Sequence, residues 1–150
     1  MKKIAVGLIG FGTIGTGVAR LFQDNKDLIS DRVCADIYLK RIADIDIVKS
    51  RGISIESALL TTDAGDILKD TEISIVVELM GGYEPARTFI LHAMQRKKHV
   101  VTANKALLAT HGDEIFRSAL RHGVNIGFEA SVGGTIPIIK KIKESLIANR

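Results

Sequence analysis

The chain has 150 residues, a formal net charge of +4, 46% hydrophobic and 25% charged residues, which is the balance of one soluble globular domain with a substantial core. It holds no run of the ~18 apolar residues that a membrane span needs. Its single cysteine, Cys34, excludes an internal disulfide and a cysteine-rich metal site, and its modest charge with two Tyr and five Phe argues against a nucleic-acid surface.

Met1-Lys2-Lys3 leads directly into a strand rather than a signal peptide, so a cytoplasmic location is expected. Residues 3–9 read as the first strand and 13–24 as the first helix, with Ile14, Val18, Leu21 and Phe22 on one side. Asn25 to Asp36 is polar and broken, a long connection. Ile37 to Ala43 is the second strand and ends in Asp44. Ser50 to Ser57 is irregular, with a turn at Arg51-Gly52. Thr61-Thr62-Asp63 reads as a short strand end running into a cap, and Asp63 to Asp70 as a short helix. Ile73 to Leu79 is β-branched and nearly continuous, as a central parallel strand is.

A helix follows over 84–97, with Pro85 in its first turn and Ala86, Ile90, Ala93 and Met94 as its apolar stripe. His99 to Thr102 is a strand and Asn104 to Ala109 a short helical turn. A separate helix is expected over 111–122, opened by a capping box of Thr110 and Asp113 and stopped by Gly123. Ile115, Phe116, Ala119 and Leu120 would face the core. Val124 to Glu129 is another strand, and 131–135 a second glycine loop. A last helix begins over 136–146, with Ile139, Ile142 and Leu146 inward. The basic clusters Arg96-Lys97-Lys98 and Lys140-Lys141-Lys143 lie on helices and read as solvated faces. Strands alternate with helices throughout, which predicts an α/β, Rossmann-type, open and mostly parallel sheet with helices on both faces.

In such a sheet, ligands lie beyond the carboxyl ends of the strands. The first exit is Gly10-Phe11-Gly12-Thr13-Ile14-Gly15, the G-x-G-x-x-G spacing of a dinucleotide site. Gly10 permits a tight turn, Gly12 leaves room for a pyrophosphate, and Gly15 lets the helix pack closely on the strand. Free N–H groups at the helix start would face the ligand's negative charge. Asp44 is the expected acceptor for the adenosine-ribose hydroxyls and would repel a 2′-phosphate, which favours NAD. The stretch from Gly15 to Asp44 exceeds the usual ~20 residues, with the polar insert absorbing the excess. Asp46 is an alternative acceptor, a cap or turn role for Asp44 stays open, and Lys40 and Arg41 keep NADP open.

The other candidate exits are Met80-Gly81-Gly82, Thr102-Ala103-Asn104-Lys105 and 129–135. Lys105 would steady an aldehyde oxygen, a carboxylate or a cofactor amide; the plainer reading is an exposed lysine at a helix start. At Glu129 and the glycines after it, carbonyl oxygens would hold a hard cation, or the loop simply caps a helix with Thr135. Glu78 is either a polar residue near the nicotinamide or a structural one. His92, His99, His111 and His122 lack a zinc spacing, and no G-x-S-x-G or G-K-[ST] motif is present.

Together, residues 7–15, Val77-Glu78-Leu79-Met80-Gly81-Gly82, residues 100–109 and residues 128–139 resemble the nucleotide-binding domain of the homoserine dehydrogenase family. The resemblance covers the whole chain; its first motif is generic, the segment around Lys105 and the last segment specific. It implies an oxidoreductase that interconverts L-homoserine and L-aspartate 4-semialdehyde with NAD or NADP, in threonine, methionine and isoleucine biosynthesis. It implies that Gly10 to Gly15 hold the pyrophosphate, that Thr102 to Lys105 border nicotinamide and substrate, and that Lys105 is an active-site lysine. It also implies a monovalent cation, typically sodium, on the main-chain carbonyls of Glu129, Val132, Gly134 and Ile136, which turns the reading of that loop toward a cation site.

Two departures stand out. Family members often carry an arginine near the end of the second strand, where this chain reads Ile42-Ala43-Asp44-Ile45-Asp46, which strengthens the NAD reading. Thr135 stands where a third glycine is common. The family also continues into a substrate-binding and dimerisation domain that supplies acidic residues and a second lysine. Residues 1–150 are therefore expected to be the dinucleotide-binding domain of a longer, homo-oligomeric enzyme, binding cofactor without turnover when alone. The alternatives are another semialdehyde or dihydrodipicolinate-type reductase, or an NAD-binding regulatory module without chemistry. Neither a nucleic-acid nor a membrane partner is expected.

Overall fold

The computed structural model describes residues 1–134 and 136–145. Thr135, Leu146 and residues 147–150 lie outside them, and with them the readings of Thr135 as a helix cap and Leu146 as inward. The strands are β1 (Lys2–Ile9), β2 (Ala35–Ala43), β3 (Leu60–Thr61), β4 (Ile73–Glu78), β5 (His99–Thr102) and β6 (Ile126–Gly127). They form one sheet in the order β3-β2-β1-β4-β5-β6, and every neighbouring pair is parallel. The helices are α1 (Thr13–Asp24), α2 (Lys26–Val33), α3 (Gly65–Lys69), α4 (Ala86–Gln95), α5 (Lys105–His122) and α6 (Ile138–Ser145). The expected doubly wound sheet is present. Among the described residues, no helix is long and apolar enough to cross a membrane.

The two-residue side-chain period of a strand sorts β1 between two cores. Ala5 and Ile9 join Ile67, Ile90, Met94, Leu107 and Ile115 on the face covered by α3, α4 and α5. Val6 and Leu8 join Phe11, Ala19 and Ile42 on the face covered by α1. β1 and β4 are thus covered on both faces, which is why their sequences are continuous apolar runs.

Four local expectations are corrected. The segment over 25–36 is not a broken connection: it contains α2, closed by Cys34 in a left-handed conformation, and β2 starts at Ala35. On α1 the buried residues are Gly15 and Ala19, while Ile14 and Leu21 are 61% and 51% exposed. A Cβ on Gly15 would stand 2.0 Å from the Gly10 carbonyl oxygen. The helix sits so close that only small residues fit its line of contact, and the bulky stripe is displaced sideways.

The helical turn at 104–109 and the helix at 111–122 are one helix, α5. Thr110 does not cap it: its hydroxyl donates back to the carbonyls of Ala106 (3.0 Å) and Leu107 (3.3 Å), a bond that lets a threonine sit inside a helix. The cap is Asn104, whose Oδ1 accepts from the Leu107 N–H at 3.1 Å, and Gly123 at φ +65° is the stop, as expected. Ile115 and Ala119 face the core, but Leu120 is exposed. Finally, β6 is only two residues long and gives way to a 3₁₀ turn at Glu129–Ser131.

Candidate functional site

The strand order reverses direction at β1, so the exits of β1 and β4 diverge and leave a crevice between them. A cavity of about 400 Å³ occupies it, lined by Gly10 and Gly12 from the β1 exit, Asp44 and Ile45 from β2, Thr62 and Asp63 after β3, and Met80 after β4. The glycine loop, Asp44 and Met80, placed together from sequence, therefore do meet. Thr62, Asp63, Pro85 and Phe89 also line the cavity, and their sequence carried no signal beyond turn and helix propensity.

The loop glycines act differently. Gly10 has φ +97°, and a Cβ there would stand 2.7 Å from the Leu79 carbonyl carbon, so backbone conformation and packing both demand glycine. Gly15 is required by helix packing. Gly12 has φ −73°, and a Cβ there would meet nothing within 4 Å. Nothing in the protein itself demands glycine at this position. Its bare backbone faces the cavity, where a side chain would stand in the way of a ligand. No side chain caps the start of α1, so the first-turn N–H groups beyond Gly12 point at the same space.

Phe11 contributes otherwise than expected: its ring is buried and its N–H donates to Asp44 Oδ2 at 2.6 Å. Ile14 is exposed on the helix surface. Asp44 Oδ1 accepts from the Asp46 N–H at 2.9 Å and faces the Arg51 guanidinium at 3.4 Å. Asp44 is thus locked against the glycine loop, and Asp46 is the outer turn residue rather than the inner carboxylate. Arg51 was read from sequence only as part of a turn. The cluster of Lys49 and Arg51 a few residues after Asp44 was the available sign of its role.

A second cluster joins the exits of β4 and β5. Glu78 is wholly buried; its Oε1 accepts from the N–H groups of Met80 (2.8 Å) and Gly81 (3.3 Å), and its Oε2 from the Thr102 hydroxyl at 2.6 Å. Thr102 Oγ1 in turn accepts from the Asn104 N–H at 3.0 Å, and Asn104 Nδ2 donates to the Gly82 carbonyl at 2.7 Å. Gly81 and Gly82 have φ of +77° and +72°. The carboxyl and amide side chains therefore hold two loops in one register, with Ala103 between them. Thr102 and Asn104 are buried in this frame, and Lys105 stands exposed at the first turn of α5 beside it. Lys105 does not line the crevice cavity.

The loop at 129–136 is anchored here too, since the Ser131 hydroxyl donates to the Thr102 carbonyl at 2.8 Å. The Glu129 carboxylate accepts from the N–H groups of Ile139 (3.0 Å) and Lys140 (3.3 Å), so this residue, ten positions upstream, caps α6. The Glu129 carbonyl accepts from Val132 and Gly133 N–H and the Ile136 carbonyl from Ile138 N–H. Among the described residues, no group of three or more His, Cys, Asp or Glu is placed to hold a metal ion.

This geometry is that of a dinucleotide-binding domain, and residues 10–129 match the family profile described as homoserine dehydrogenase, NAD binding domain. The chain belongs to the homoserine dehydrogenase family. It is 46% identical over 147 residues to homoserine dehydrogenase of Synechocystis and 39% identical over 150 residues to that of Bacillus subtilis. Those alignments cover 98% and 100% of this chain but 34% and 35% of the relatives, so the chain spans about one third of their length. A crystal structure of a homoserine dehydrogenase from Thiobacillus denitrificans superposes with a TM-score of 0.92 at 46% identity, over 100% of this chain and 35% of that one. The matched residues span both the glycine loop and the Lys105 segment.

Proposed function

We propose that this chain is the cofactor-binding part of an enzyme that interconverts L-homoserine and L-aspartate 4-semialdehyde with NAD(P), NAD being preferred. The observation that carries the proposal is Gly12: a glycine unneeded by the fold, bare toward the crevice, at the uncapped start of α1. A bound nicotinamide dinucleotide supplies hydride chemistry. The chain's own residues bind and orient it. The N–H groups of Gly12, Thr13 and Ile14 face the pyrophosphate, Gly10 and Gly15 shape the loop that presents them, and Asp44 accepts from the adenosine-ribose hydroxyls. Met80, Gly81 and Gly82 and the segment Thr102-Ala103-Asn104 form the wall beside the nicotinamide.

Lys105 stands where that wall ends, and its ammonium steadies the aldehyde oxygen and carries its proton. A monovalent cation on the carbonyls of Glu129, Val132, Gly134 and Ile136 belongs to the same reading. The Ile136 carbonyl accepts one hydrogen bond and keeps a lone pair for an ion, whereas the Glu129 carbonyl accepts from both Val132 and Gly133 N–H, so an ion there would replace one of those bonds; neutral oxygens are the donor set of a hard cation. The remaining walls of the substrate site, and the contacts of a homo-oligomer, lie outside residues 1–150. A cytoplasmic setting fits this chemistry.

The test is homoserine-dependent reduction of NAD by the full-length protein, with NADP in place of NAD, and oxidation of NADH or NADPH by aspartate semialdehyde or dihydrodipicolinate in the reductive direction, with titration of the 150-residue chain with NADH and NADPH. Turnover of homoserine by the full-length protein with tighter NADH binding is expected. Turnover of dihydrodipicolinate alone would refute the substrate, and tighter NADPH binding would refute the role of Asp44.

A further inference from the structure

A second cavity, of about 480 Å³, adjoins the crevice at Gly12, which lines both. Its wall contains Thr13, Thr16, Arg20, Lys49, Ser50 and Arg51: three cations, two threonine hydroxyls and no carboxylate. Asp44 lines the first cavity and Arg51 the second, and the two side chains face each other at 3.4 Å across the seam. Arg51 is fixed on all sides. Its guanidinium donates to the carbonyls of Phe11 and Asp46 and, at 2.8 Å, to that of Lys49, and it lies 4.7 Å over the Phe11 ring. Its side chain is only 10% exposed. Lys49 and Arg20 form no ion pair among the described residues.

We propose that Arg51 is the specificity-determining partner of Asp44, and that the pair, rather than Asp44 alone, sets which dinucleotide is taken. With the carboxylate present, Arg51 is neutralised and clamps it toward the ribose, so a 2′-phosphate meets a fixed negative charge. With the carboxylate gone, the same guanidinium faces the ribose 2′ position with Lys49 and Arg20 behind it. A planar, immobilised guanidinium suits a phosphate. The inference rests on the dinucleotide reading above and adds the residue that makes the preference reversible.

The experiment is fluorescence titration of the full-length protein with NADH and NADPH, in the unaltered form and as Asp44→Asn, Arg51→Gln, the double variant and Asp44→Asn with Arg51→Lys. Asp44→Asn is expected to bind NADPH at least 10-fold more tightly than the unaltered protein. Adding Arg51→Gln should remove at least five-fold of that gain while NADH affinity changes less than three-fold, and Arg51→Lys should keep more of the gain than Arg51→Gln. A double variant that retains the full NADPH gain overturns the role of Arg51. So does one that loses NADH and NADPH equally, which marks Arg51 as loop scaffold only. The unaltered protein's own NADH to NADPH ratio tests the NAD preference separately, because the contrast among variants does not depend on its value.

Discussion

Glu78→Gln isolates the buried frame that ties the β4 and β5 exits together. The carboxyl presents two acceptors, one to the N–H groups of Met80 and Gly81 and one to the Thr102 hydroxyl. An amide of the same size presents one acceptor and one donor. With its oxygen toward Met80, its NH₂ points at Thr102 Oγ1, which already accepts from Asn104 N–H. The Thr102 hydroxyl proton then has no acceptor, and Thr102 is fully buried, so water cannot replace it. An orphaned buried donor costs about 1–3 kcal/mol. With an m-value of about 2 kcal/mol/M in urea, the unfolding midpoint should fall by about 1 M. Thr102→Val removes the hydroxyl at fault, so in a double-mutant cycle the two changes should be less than additive by about 1 kcal/mol. The assay is urea unfolding of the single and double variants followed by far-UV circular dichroism. A midpoint within about 0.2 M of the unaltered protein, or strict additivity, would refute the reasoning, since about 0.4 kcal/mol is too little for a buried unpaired donor.

The two glycines of α1 should respond oppositely to alanine. At Gly17 a Cβ meets open space, so Gly17→Ala should stabilise by about 0.5–1 kcal/mol, whereas Gly15→Ala, with its Cβ against the Gly10 carbonyl, should lower the melting temperature and weaken NADH binding. Lys105→Ala should lower homoserine turnover by the full-length protein by about 10²-fold or more while leaving NADH affinity within a few-fold, the size expected of a group acting on the reacting oxygen; an unchanged kcat would remove Lys105 from the chemistry. At the far edge of the sheet, the hydrogen bond from Lys40 holds the Asp70 carboxyl below its ordinary value. Its contribution to stability is therefore fully present above pH about 4 and lost as pH falls through the lowered value. Asp70→Asn should accordingly lower the melting temperature at pH 6 and have a diminishing effect below pH 4, as followed by thermal unfolding across that range.

Some features of the site were legible from residue order alone because they depend on backbone rules. Gly10 needs a positive φ, Gly15 needs a missing Cβ, and a strand followed by such a loop can do little else. Gly123 stopped its helix as read, because a left-handed residue ends a helix locally. Where the sequence reading failed, a contact distant along the chain decided the outcome. Thr110 looked like a cap, but Asn104 caps α5, and nothing local distinguishes the two until the β4 exit supplies the Gly82 carbonyl that fixes the Asn104 amide. The Glu129 carboxylate was read only as a strand end, yet it reaches the first turn of α6 from ten residues upstream.

By itself the sequence determined the alternation of strands and helices, the parallel sheet and the glycine loop, since apolar period and glycine placement act through nearest neighbours and the pleat. The segments around Gly10, Gly81, Lys105 and Gly133 also carried the resemblance to the family, which the profile match over residues 10–129 bears out. Only the tertiary structure decided the partners of the charged groups. Arg51 meets Asp44 and Glu78 meets Thr102 because β1, β2, β4 and β5 bring their ends to one edge, and a side chain's hydrogen-bond partner across 7 or 24 residues is set by that packing and not by its neighbours in the chain.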